Sequence, residues 1–495
     1  MIKYTGKIVQ FGFGAVGKSF FEKVSKEISF YENRYIVITG NPNEFEAYIN
    51  MGGIATNFYV YDVNRENYQE IFGQFLSEGD LLIDFADAVG TRDICKWCCE
   101  HNIMYLNTGE ADWPENWYSI FTENLLKNEM KEKYHKDERY NRYPIVLQHG
   151  NNPGLVSHFV KAAIEYIIHK QFRKDKTLKK LLKEQKWNEI ARYLGIRMIH
   201  VNDIDLQKIK EPFQENKLVS TWCPDSFFFE LLSEATENLG THEKMYKNDL
   251  YRMIDREKGF VEYKTIAADT KCKTYYPHGY FEGYLVPHEE TITIANYLEV
   301  VEDGKVVYRP SVMFIYLPCD FATNYLKKAK VNDYPNTDME KPQDGDYHDY
   351  SIVRGYLYPQ NTEIAYQENI EEGTEYVGVL LLGEHFDPVW VGNRIEPSYL
   401  YKHKKGSYWQ TPTITPVAMS ALAAVCWMLK HKDRGGIFFP DDIPDYKYIL
   451  KIAEKYISKT IYHTFDGDMI EKALKIQLSD IQSSHFFVTE KESQT

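Results

Sequence analysis

Apolar and polar positions alternate between two patterns in the first third of the chain. Short unbroken apolar runs predict buried strands at residues 7–11, 35–39, 56–61, 81–84, 103–106 and 144–148. Between them, apolar residues recur at helical spacing and predict helices at residues 18–28, 67–77, 91–101 and 155–169. Strands and helices that alternate in this way are typical of an α/β fold with a doubly wound parallel sheet. We therefore expect an N-terminal Rossmann domain.

Beyond residue 170 the pattern becomes richer in strands. A lysine-rich surface helix is predicted at 173–186, and strand-like segments follow at 196–201, 218–222, 291–300, 306–316, 377–382 and 389–395. We expect an α+β domain on a large, mostly antiparallel sheet. Residues 330–350 predict a loop, and helical periodicity returns at 415–429 and 446–456. The predicted domains are 1–152, 153–410 and a C-terminal helical segment, 411–495, with the option of packing back on the first domain.

A glycine-rich loop joins the first predicted strand to the first helix and satisfies two phosphate-binding patterns. Its three glycines fit G-x-G-x-x-G, the dinucleotide pattern. The first and last glycine, with the following Lys18-Ser19, also fit G-x-x-x-x-G-K-S, the P-loop of nucleotide triphosphatases. Both patterns present backbone N–H groups and a helix N-terminus to a phosphate. The candidate cofactor-binding residues of this loop are Gly12, Gly14, Ala15, Val16 and Gly17.

Residues outside the loop favour the dinucleotide without excluding the P-loop. Asp84 ends a hydrophobic strand, where a P-loop enzyme holds Mg²⁺. A Rossmann site instead needs a ribose-binding group after the second strand, about twenty residues beyond the last glycine. No acid stands at that tip, so Thr39 or Asn41 is the candidate. Because no Lys or Arg occurs between Tyr35 and Asn64 to hold a 2′-phosphate, we expect NAD rather than NADP.

The bulk properties exclude several classes of partner. With 495 residues, a formal net charge of −14 and a pI of about 5.6, the chain disfavours nucleic acid and is compatible with a cationic ligand. The apolar run 417–429 is too short for a bilayer span, and a strand begins near the N-terminus, so we expect a cytoplasmic protein without membrane contact. The seven cysteines suggest no disulfide framework, and Cys95-x-x-Cys98 lacks further zinc ligands, so no metal is expected.

Polar residues follow three predicted strands of the first domain. Asp87 follows one strand, Thr108 and Glu110 follow the next, and Asn151 and Asn152 follow the last. The carboxyl ends of strands are where ligands sit in open α/β sheets. These residues are therefore predicted to lie around the nicotinamide half of a bound dinucleotide.

Acidic, aromatic and histidine side chains are also predicted near the ends of strands and helices in the second domain. Asp203 is predicted at a strand end, Trp222 at the end of another strand, and Glu230 at the start of the helix that follows. Residues 240–243 predict a tight turn, and His288 is predicted to precede a strand.

At these residues the chain resembles bacterial homospermidine synthase and, more distantly, the saccharopine dehydrogenase group. The resemblance runs to about residue 455 and is carried by Gly12-Phe13-Gly14, Leu82-Ile83-Asp84, residues 149–157, Thr221-Trp222, Glu230, residues 239–243, His288 and residues 378–382. It implies a Rossmann domain with bound NAD, a second domain for substrate binding and dimerisation, and a homodimer. The implied reaction oxidises putrescine or spermidine to an imine. A second polyamine replaces ammonia or diaminopropane, and the same hydride then reduces the new imine, so the enzyme is a transferase by outcome.

The resemblance also assigns roles to individual residues. It implies a cation–π contact for Trp222, substrate carboxylates in Glu230, Asp203 and Glu110, a place near the nicotinamide for Asn152, and a pocket role for His288. Asp203 stands where the family usually has Glu, and Asp112 competes with Glu110 for one role. Three alternatives stay open: an oxidoreductase of the saccharopine or carboxyspermidine dehydrogenase type, a P-loop ATPase, and a non-catalytic NAD-binding regulator.

Overall fold

The computed structural model describes residues 1–86, 89–109, 111–113, 131–134, 142–211, 213–244, 251–255, 259–331, 352–401, 407 and 409–488. The chain divides into two units. The first comprises Met1–Leu155 and Leu400–Ile457, and the second comprises most of residues 156–399 together with the segment from Ser458 onwards. Most of the segment 127–142 and of the predicted loop 330–350 lies outside the described residues.

The first unit is built on a seven-stranded sheet in which every neighbouring pair is parallel. The strands, from one edge to the other, are Phe58–Val60, Tyr35–Thr39, Ile8–Phe11, Leu81–Asp84, Met104–Asn107, Pro144–Val146 and Gly436–Phe438. Chain order therefore runs outward in both directions from the central strand Ile8–Phe11. This is the Rossmann order, with its ligand crevice at the carboxyl end of that strand. The predicted doubly wound sheet is confirmed.

Helices connect these strands and cover the sheet. They are Ala15–Glu27, Phe45–Asn50, Tyr68–Phe75, Thr91–His101, Ile414–Lys430 and Tyr446–Ala453. The helix Ile414–Lys430 is buried over nearly its whole length, which explains its apolar run without any membrane. Among the described residues, no helix is long and apolar enough to cross a bilayer. A short parallel pair, Ile2–Lys3 with Ile28–Ser29, completes this unit.

The second unit carries a ten-stranded sheet that is antiparallel except for one pair. Its main path is Tyr251–Asp255, Phe260–Ile266, Glu234–Asn238, Ser311–Leu317, Ile196–Asp205, Glu375–Gly383, Val389–Ile395 and Ile461–Thr464. The hairpin Lys271–Tyr276 and Gly279–Leu285 joins it beside Ser311–Leu317. The parallel pair is Ser311–Leu317 with Ile196–Asp205, at the buried centre. The predicted large, mostly antiparallel sheet is confirmed.

Helices and two-stranded ribbons surround this sheet. The helices are Leu155–Gln171, Lys176–Lys183, Trp187–Leu194, Pro224–Leu232, Glu290–Tyr297, Asp320–Ala329, Pro397–Tyr401 and Gly467–Leu474. The ribbons pair Lys208–Ile209 with Ile370–Glu372, Lys217–Ser220 with Asn361–Ile364, Val300–Glu302 with Lys305–Tyr308, and Ile352–Val353 with Tyr356–Leu357.

Three local expectations were wrong. The segment predicted as a strand at 291–300 is mainly the helix Glu290–Tyr297, so His288 precedes a helix and not a strand. Glu290 to Ala295 are all buried, and tertiary packing here overrides the β-branched preference of Thr and Ile. Trp222 lies beyond the strand Lys217–Ser220, and Glu230 lies near the end of the helix Pro224–Leu232 rather than at its start.

Candidate active site

The glycine loop of the first unit has the geometry of a dinucleotide cradle. Gly12 has φ +89°, and a Cβ there would lie 2.7 Å from the backbone of Phe85. A Cβ on Gly17 would lie 2.5 Å from the Gly12 carbonyl oxygen, so this glycine lets helix and strand approach closely. At Gly14, by contrast, an added Cβ would meet no described atom within 4 Å. The loop is therefore open on the side where a pyrophosphate approaches the N-terminus of Ala15–Glu27.

Lys18 and Ser19 are occupied by contacts that a P-loop does not make. The Lys18 ammonium lies 3.2 Å from the Glu44 carboxylate. Ser19 is fully buried, and its hydroxyl donates to the Gln410 side chain at 3.2 Å. A P-loop needs this lysine on the phosphates and this hydroxyl on Mg²⁺. The geometry therefore favours the dinucleotide pattern.

Thr39 ends the second strand beside the glycine loop, and its hydroxyl donates to Glu44 at 2.7 Å. The carboxylate expected at this tip in a Rossmann domain is thus present in space, although it comes from five residues further along the chain. Sequence reasoning missed Glu44 because it was sought at the strand end itself. Its partner across the gap is Lys18, which nothing in the spacing indicated.

A network of hydrogen bonds ties together two loops at the carboxyl end of this sheet. Asn107 donates to the Gly109 carbonyl at 2.6 Å and accepts from the Gln148 backbone at 2.8 Å. Thr108 is half-buried beside Gly150, where a Cβ would lie 2.8 Å from the Thr108 carbonyl oxygen. The loops that follow the strands Met104–Asn107 and Pro144–Val146 are therefore in direct contact.

The last of these loops contains both predicted asparagines. Asn151 is buried, and its side-chain oxygen has no hydrogen-bond partner among the described residues. Asn152 is half-buried in the same turn. The neighbouring His149 is fully buried, and burial lowers its pKa to about 3, so it is a neutral residue that shares a hydrogen bond with Ser420. Asp87 and Glu110 lie outside the described residues.

In the second unit, one face of the central sheet collects the other predicted residues. Asp203 is paired in register with Tyr316 on the parallel strand Ser311–Leu317. Partners in register project to the same face, and so does Phe314, two residues before Tyr316. Asp203 is 7% exposed. This face is thus a buried floor with a carboxyl group and two aromatic rings on it.

Three glutamates surround His288 above this floor, and these four residues with Asp203 are called the acid cluster below. The His288 ring stacks on Phe314, with centroids 4.0 Å apart and an interplanar angle of 9°. Its Nδ1 contacts Glu290 and lies 3.4 Å from Glu289, while its Nε2 lies 3.6 Å from Glu230. One imidazole is therefore shared by three carboxyl groups.

Burial and mutual repulsion shift the pKa values in the acid cluster. Burial raises the pKa of Glu230 to about 8; His288 opposes this shift, and Asp203, Glu289 and Glu290 add to it. Burial also raises the pKa of Glu290. For His288, burial lowers the pKa, but Glu290, Glu289 and Glu230 outweigh it and raise the value to about 10. The imidazole is thus an imidazolium at neutral pH.

Trp222 is anchored at the edge of the same floor. Its indole N–H donates to the Tyr316 hydroxyl at 3.1 Å, and its ring meets Phe227 edge-on at 6.4 Å between centroids. The preceding Thr221 donates to the buried Asp205 at 2.7 Å, which fixes the backbone.

Tyr316 itself has a pKa raised well above its usual value, first by burial and then by Asp203, Asp205, Cys319 and Glu230. Trp222, Glu230, Asp203 and His288 are therefore brought together around Tyr316 and Phe314.

This arrangement suits a cationic organic ligand. Three carboxyl groups contact one imidazolium, and Asp203 raises the pKa of one of these acids, Glu230. With an aromatic ring at the margin, ammonium groups would complete the charge balance. The ligand atoms of His288, Glu289 and Glu290 also lie within 4.8 Å of one another, a spacing open to a metal ion. A metal would have to displace the proton that the three glutamates hold on His288, because imidazole binds metals in its neutral form.

Comparison with known proteins gives a match for the first unit and relatives that span most of the chain. Residues 8–144 match the family model described as the saccharopine dehydrogenase NADP binding domain. The homospermidine synthase of Mesorhizobium japonicum is 25% identical over 469 residues, covering 92% of this chain and 89% of the relative. That of Blastochloris viridis is 25% identical over 470 residues, covering 92% and 90%. The expected resemblance to homospermidine synthase is confirmed.

Solved structures extend the homospermidine synthase likeness to the fold. The homospermidine synthase from Legionella pneumophila, in complex with NAD, has a TM-score of 0.81 at 23% identity and covers 99% of both chains. The saccharopine dehydrogenase from Saccharomyces cerevisiae has a TM-score of 0.51 at 10% identity, covering 93% of this chain and all of the other. The full-length match is thus much stronger to homospermidine synthase than to saccharopine dehydrogenase.

Proposed function

We propose that this protein is an NAD-dependent homospermidine synthase-like enzyme that joins two polyamines, with putrescine and spermidine as substrates. The observation that carries the proposal is the acid cluster: Glu230, Glu289 and Glu290 around the His288 imidazolium. Asp203 and the partner of the Trp222 indole, Tyr316, are paired in register on the sheet face beside it. Buried carboxylates in such a site are stabilised when further positive charges bind next to them. Diamines supply such charges at both ends, and the curated relatives of similar length share this activity by name.

The first unit fits NAD by its own geometry. Gly12 and Gly17 allow the close approaches of a dinucleotide cradle, and Gly14 leaves the approach to the helix N-terminus open. Lys18 is paired with Glu44 and does not stand ready for a 2′-phosphate, which favours NAD over NADP despite the description of the family model. When bound, NAD supplies a reversible acceptor for hydride.

The residues of the acid cluster perform the proton chemistry. Hydride loss from the carbon beside an amine requires a neutral amine, so a carboxylate must first take a proton from the ammonium. Glu230 suits this task because its pKa of about 8 approaches that of an amine, and His288 beside it can pass the proton onward. Trp222 stabilises the positive charge of ammonium and iminium groups through its ring face.

Atoms and electrons balance without a net oxidant. The first amine loses hydride and a proton and becomes an imine; the second amine adds to the imine carbon, and ammonia, or diaminopropane when spermidine is the donor, leaves. The same hydride, together with the proton released in the first step, then converts the new imine to a secondary amine. As the resemblance implies, Asn152 is proposed to lie near the nicotinamide, and Glu110, with Asp112 as the competing acid, is proposed as a substrate carboxylate. A homodimer is the proposed assembly.

The alternatives are less well supported. A saccharopine or carboxyspermidine dehydrogenase binds a substrate carboxylate and needs a cationic side chain for it. In the described part of the second unit, the charged groups that shift the pKa of Glu230 are His288 and carboxyl groups, with no arginine among them. The contacts of Lys18 and Ser19 disfavour a P-loop ATPase.

Incubation of the protein with putrescine and a small amount of NAD tests the proposal. Mass spectrometry should find homospermidine in molar excess over NAD, and ammonia should form one-for-one with it. NADH should neither accumulate nor be consumed during sustained turnover. Stoichiometric NADH formation would instead support an oxidoreductase, and Mg²⁺-dependent ATP hydrolysis would support the P-loop reading.

A further inference from the structure

One strand of the second unit supports two side chains of the candidate site. Phe314 and Tyr316 are two residues apart on Ser311–Leu317 and project to the same face of the sheet. His288 stacks on Phe314, and Trp222 donates its indole N–H to Tyr316. Both supporting residues are nearly fully buried, at 2% and 5% exposure. The strand thus positions the His288 imidazole and the Trp222 indole, which both belong to other segments of the chain.

Trp222 depends on such support more than a residue within a helix or strand. It lies between the strand Lys217–Ser220 and the helix Pro224–Leu232, so its own backbone does not fix its ring. The edge contact with Phe227 does not by itself prevent rotation of the Trp222 ring. The indole has one polar group, its N–H, and a hydrogen bond from that group restricts the rotation. That hydrogen bond, at 3.1 Å, goes to Tyr316.

Tyr316 is itself held rigidly. It is paired in register with Asp203 on one side and with Tyr284 on the other, in the middle of the ten-stranded sheet. Its hydroxyl accepts from the indole. Burial, with further contributions from Asp203 and Asp205, raises the pKa of this hydroxyl well above its usual value, so it keeps its own proton. Donation of the indole N–H also enriches the electron density of the ring, which strengthens its attraction for a cation.

We propose that Tyr316 is a positioning residue for Trp222, holding the indole in the orientation in which its face receives the cationic amine. The inference deepens the proposed function and rests on it. It goes beyond the residues that the resemblance assigns, because it names the group that makes the tryptophan effective. Without the Tyr316 hydroxyl, Trp222 would remain present but would sample other ring orientations.

A double-mutant cycle tests this inference. Tyr316→Phe removes one oxygen, and kcat/KM for putrescine should fall about three- to tenfold, the worth of one such hydrogen bond. In the Trp222→Phe background the same change should alter kcat/KM by less than about twofold, because no indole remains to be positioned. Equilibrium binding of putrescine to the NAD-loaded protein should show the same coupling. A merely structural role would weaken both backgrounds equally and would overturn the inference.

Tyr308→Phe is the matched control. Tyr308 also belongs to the second unit, but its hydroxyl donates to the Ile196 carbonyl at 2.8 Å. It should leave kcat/KM unchanged in both backgrounds. KM and equilibrium binding constants do not depend on the folded fraction, whereas kcat does. If Tyr316→Phe is partly misfolded, the cycle is therefore evaluated from KM and from putrescine binding to the NAD-loaded protein. If wild-type protein turns over putrescine and Tyr316→Phe matches it, only the inference fails; if wild type neither binds nor converts putrescine, the proposed function fails with it.

Discussion

Two buried glutamates, one in each unit, show how the surroundings of a carboxylate decide its role. Glu44 and Glu230 have side chains that are 10% and 12% exposed. Glu44 has a cation of its own, Lys18 at 3.2 Å, and accepts from Thr39 at 2.7 Å. Glu230 shares the single imidazolium of His288, 3.6 Å away, with Glu289 and Glu290. The two side chains are thus similarly buried, but Glu44 has a cation to itself whereas Glu230 shares one with two other glutamates.

The difference follows from the cost of burying charge. A desolvated carboxylate is tolerated when a partner of opposite charge and further hydrogen bonds complete its shell. The partners of Glu44 are internal to the protein, so that pair holds the shape of the strand tip. In the acid cluster, burial raises the pKa values of Glu230 and Glu290, and neighbouring carboxyl groups add to the shift. Among the described residues, His288 is the cation that opposes these shifts. A pocket in this state gains free energy when cationic groups enter it.

Removal of the Glu230 charge should produce the largest effect. Glu230→Gln deletes one partner of a buried ion pair with the substrate, worth roughly 2–5 kcal/mol, so kcat/KM for putrescine should fall by about 30-fold to several thousandfold. The melting temperature should not fall, because the substitution also relieves repulsion with Glu289 and Glu290. Steady-state kinetics and thermal denaturation measure both.

Asp225→Asn is the control for this substitution. Asp225 lies on the same helix, Pro224–Leu232, but accepts from the Tyr358 hydroxyl at 2.9 Å. It should leave kcat/KM near wild type. Comparable losses in the two variants would mean that any change of charge on this helix disturbs the enzyme, and the contrast between Glu44 and Glu230 would lose its functional meaning.

A pH profile should reveal the same group. The pKa of Glu230 is about 8, above its usual value of 4.5, so the proton-accepting carboxylate forms as pH rises through 8. kcat/KM should therefore increase about tenfold per pH unit below that value and level off above it. Glu230→Gln should lose this limb. A wild-type profile that is flat between pH 6 and pH 9 would contradict the assignment of Glu230 as proton acceptor.

Stability should depend on pH in the opposite direction. Because the folded-state pKa of Glu230 is raised, its contribution to the free energy of unfolding is complete below about pH 4.5 and is lost as pH rises through 8. Glu230→Gln should flatten this decline, which denaturant titrations at several pH values would detect.

Residues close in sequence were the ones whose arrangement could be predicted. The glycine loop, the strand Leu81–Asp84 and the helix Thr91–His101 follow from local apolar periodicity and turn chemistry, and the structure has them at or near the predicted bounds. The contact between Trp222 and Tyr316 joins residues 94 positions apart, and no local pattern encodes it. The pairing of Lys18 with Glu44 was missed for the same reason. Residue types thus indicated the chemistry of the site, whereas its supporting contacts required the fold.

Changes at Trp222 should have a smaller effect than the loss of Glu230. The cation–π contact is worth about 0.5–2 kcal/mol, so Trp222→Phe, which keeps a weaker π face, should lower kcat/KM by about two- to thirtyfold. Trp222→Leu keeps bulk without a π face and should fall further. If Trp222→Leu lowered the melting temperature while the kinetics of the surviving folded protein stayed near wild type, Trp222 would be a packing residue.

The smallest functional effect is expected at Lys18, the cation of the balanced pair. Lys18→Met keeps the aliphatic stem but leaves the Glu44 carboxylate without its ammonium, and an uncompensated buried charge costs about 3–5 kcal/mol of stability. NAD affinity of the folded protein, measured by calorimetry, should change only a few-fold, because the glycine loop and the helix N-terminus bind the pyrophosphate without this amine. Adding Glu44→Gln should restore most of the lost stability, since the pair is then removed as a unit. If Lys18→Met lost much of its nucleotide affinity and Glu44→Gln did not restore it, Lys18 would be a phosphate-binding residue. The Lys18–Glu44 pair would then serve ligand binding, and its contrast with the acid cluster would no longer hold.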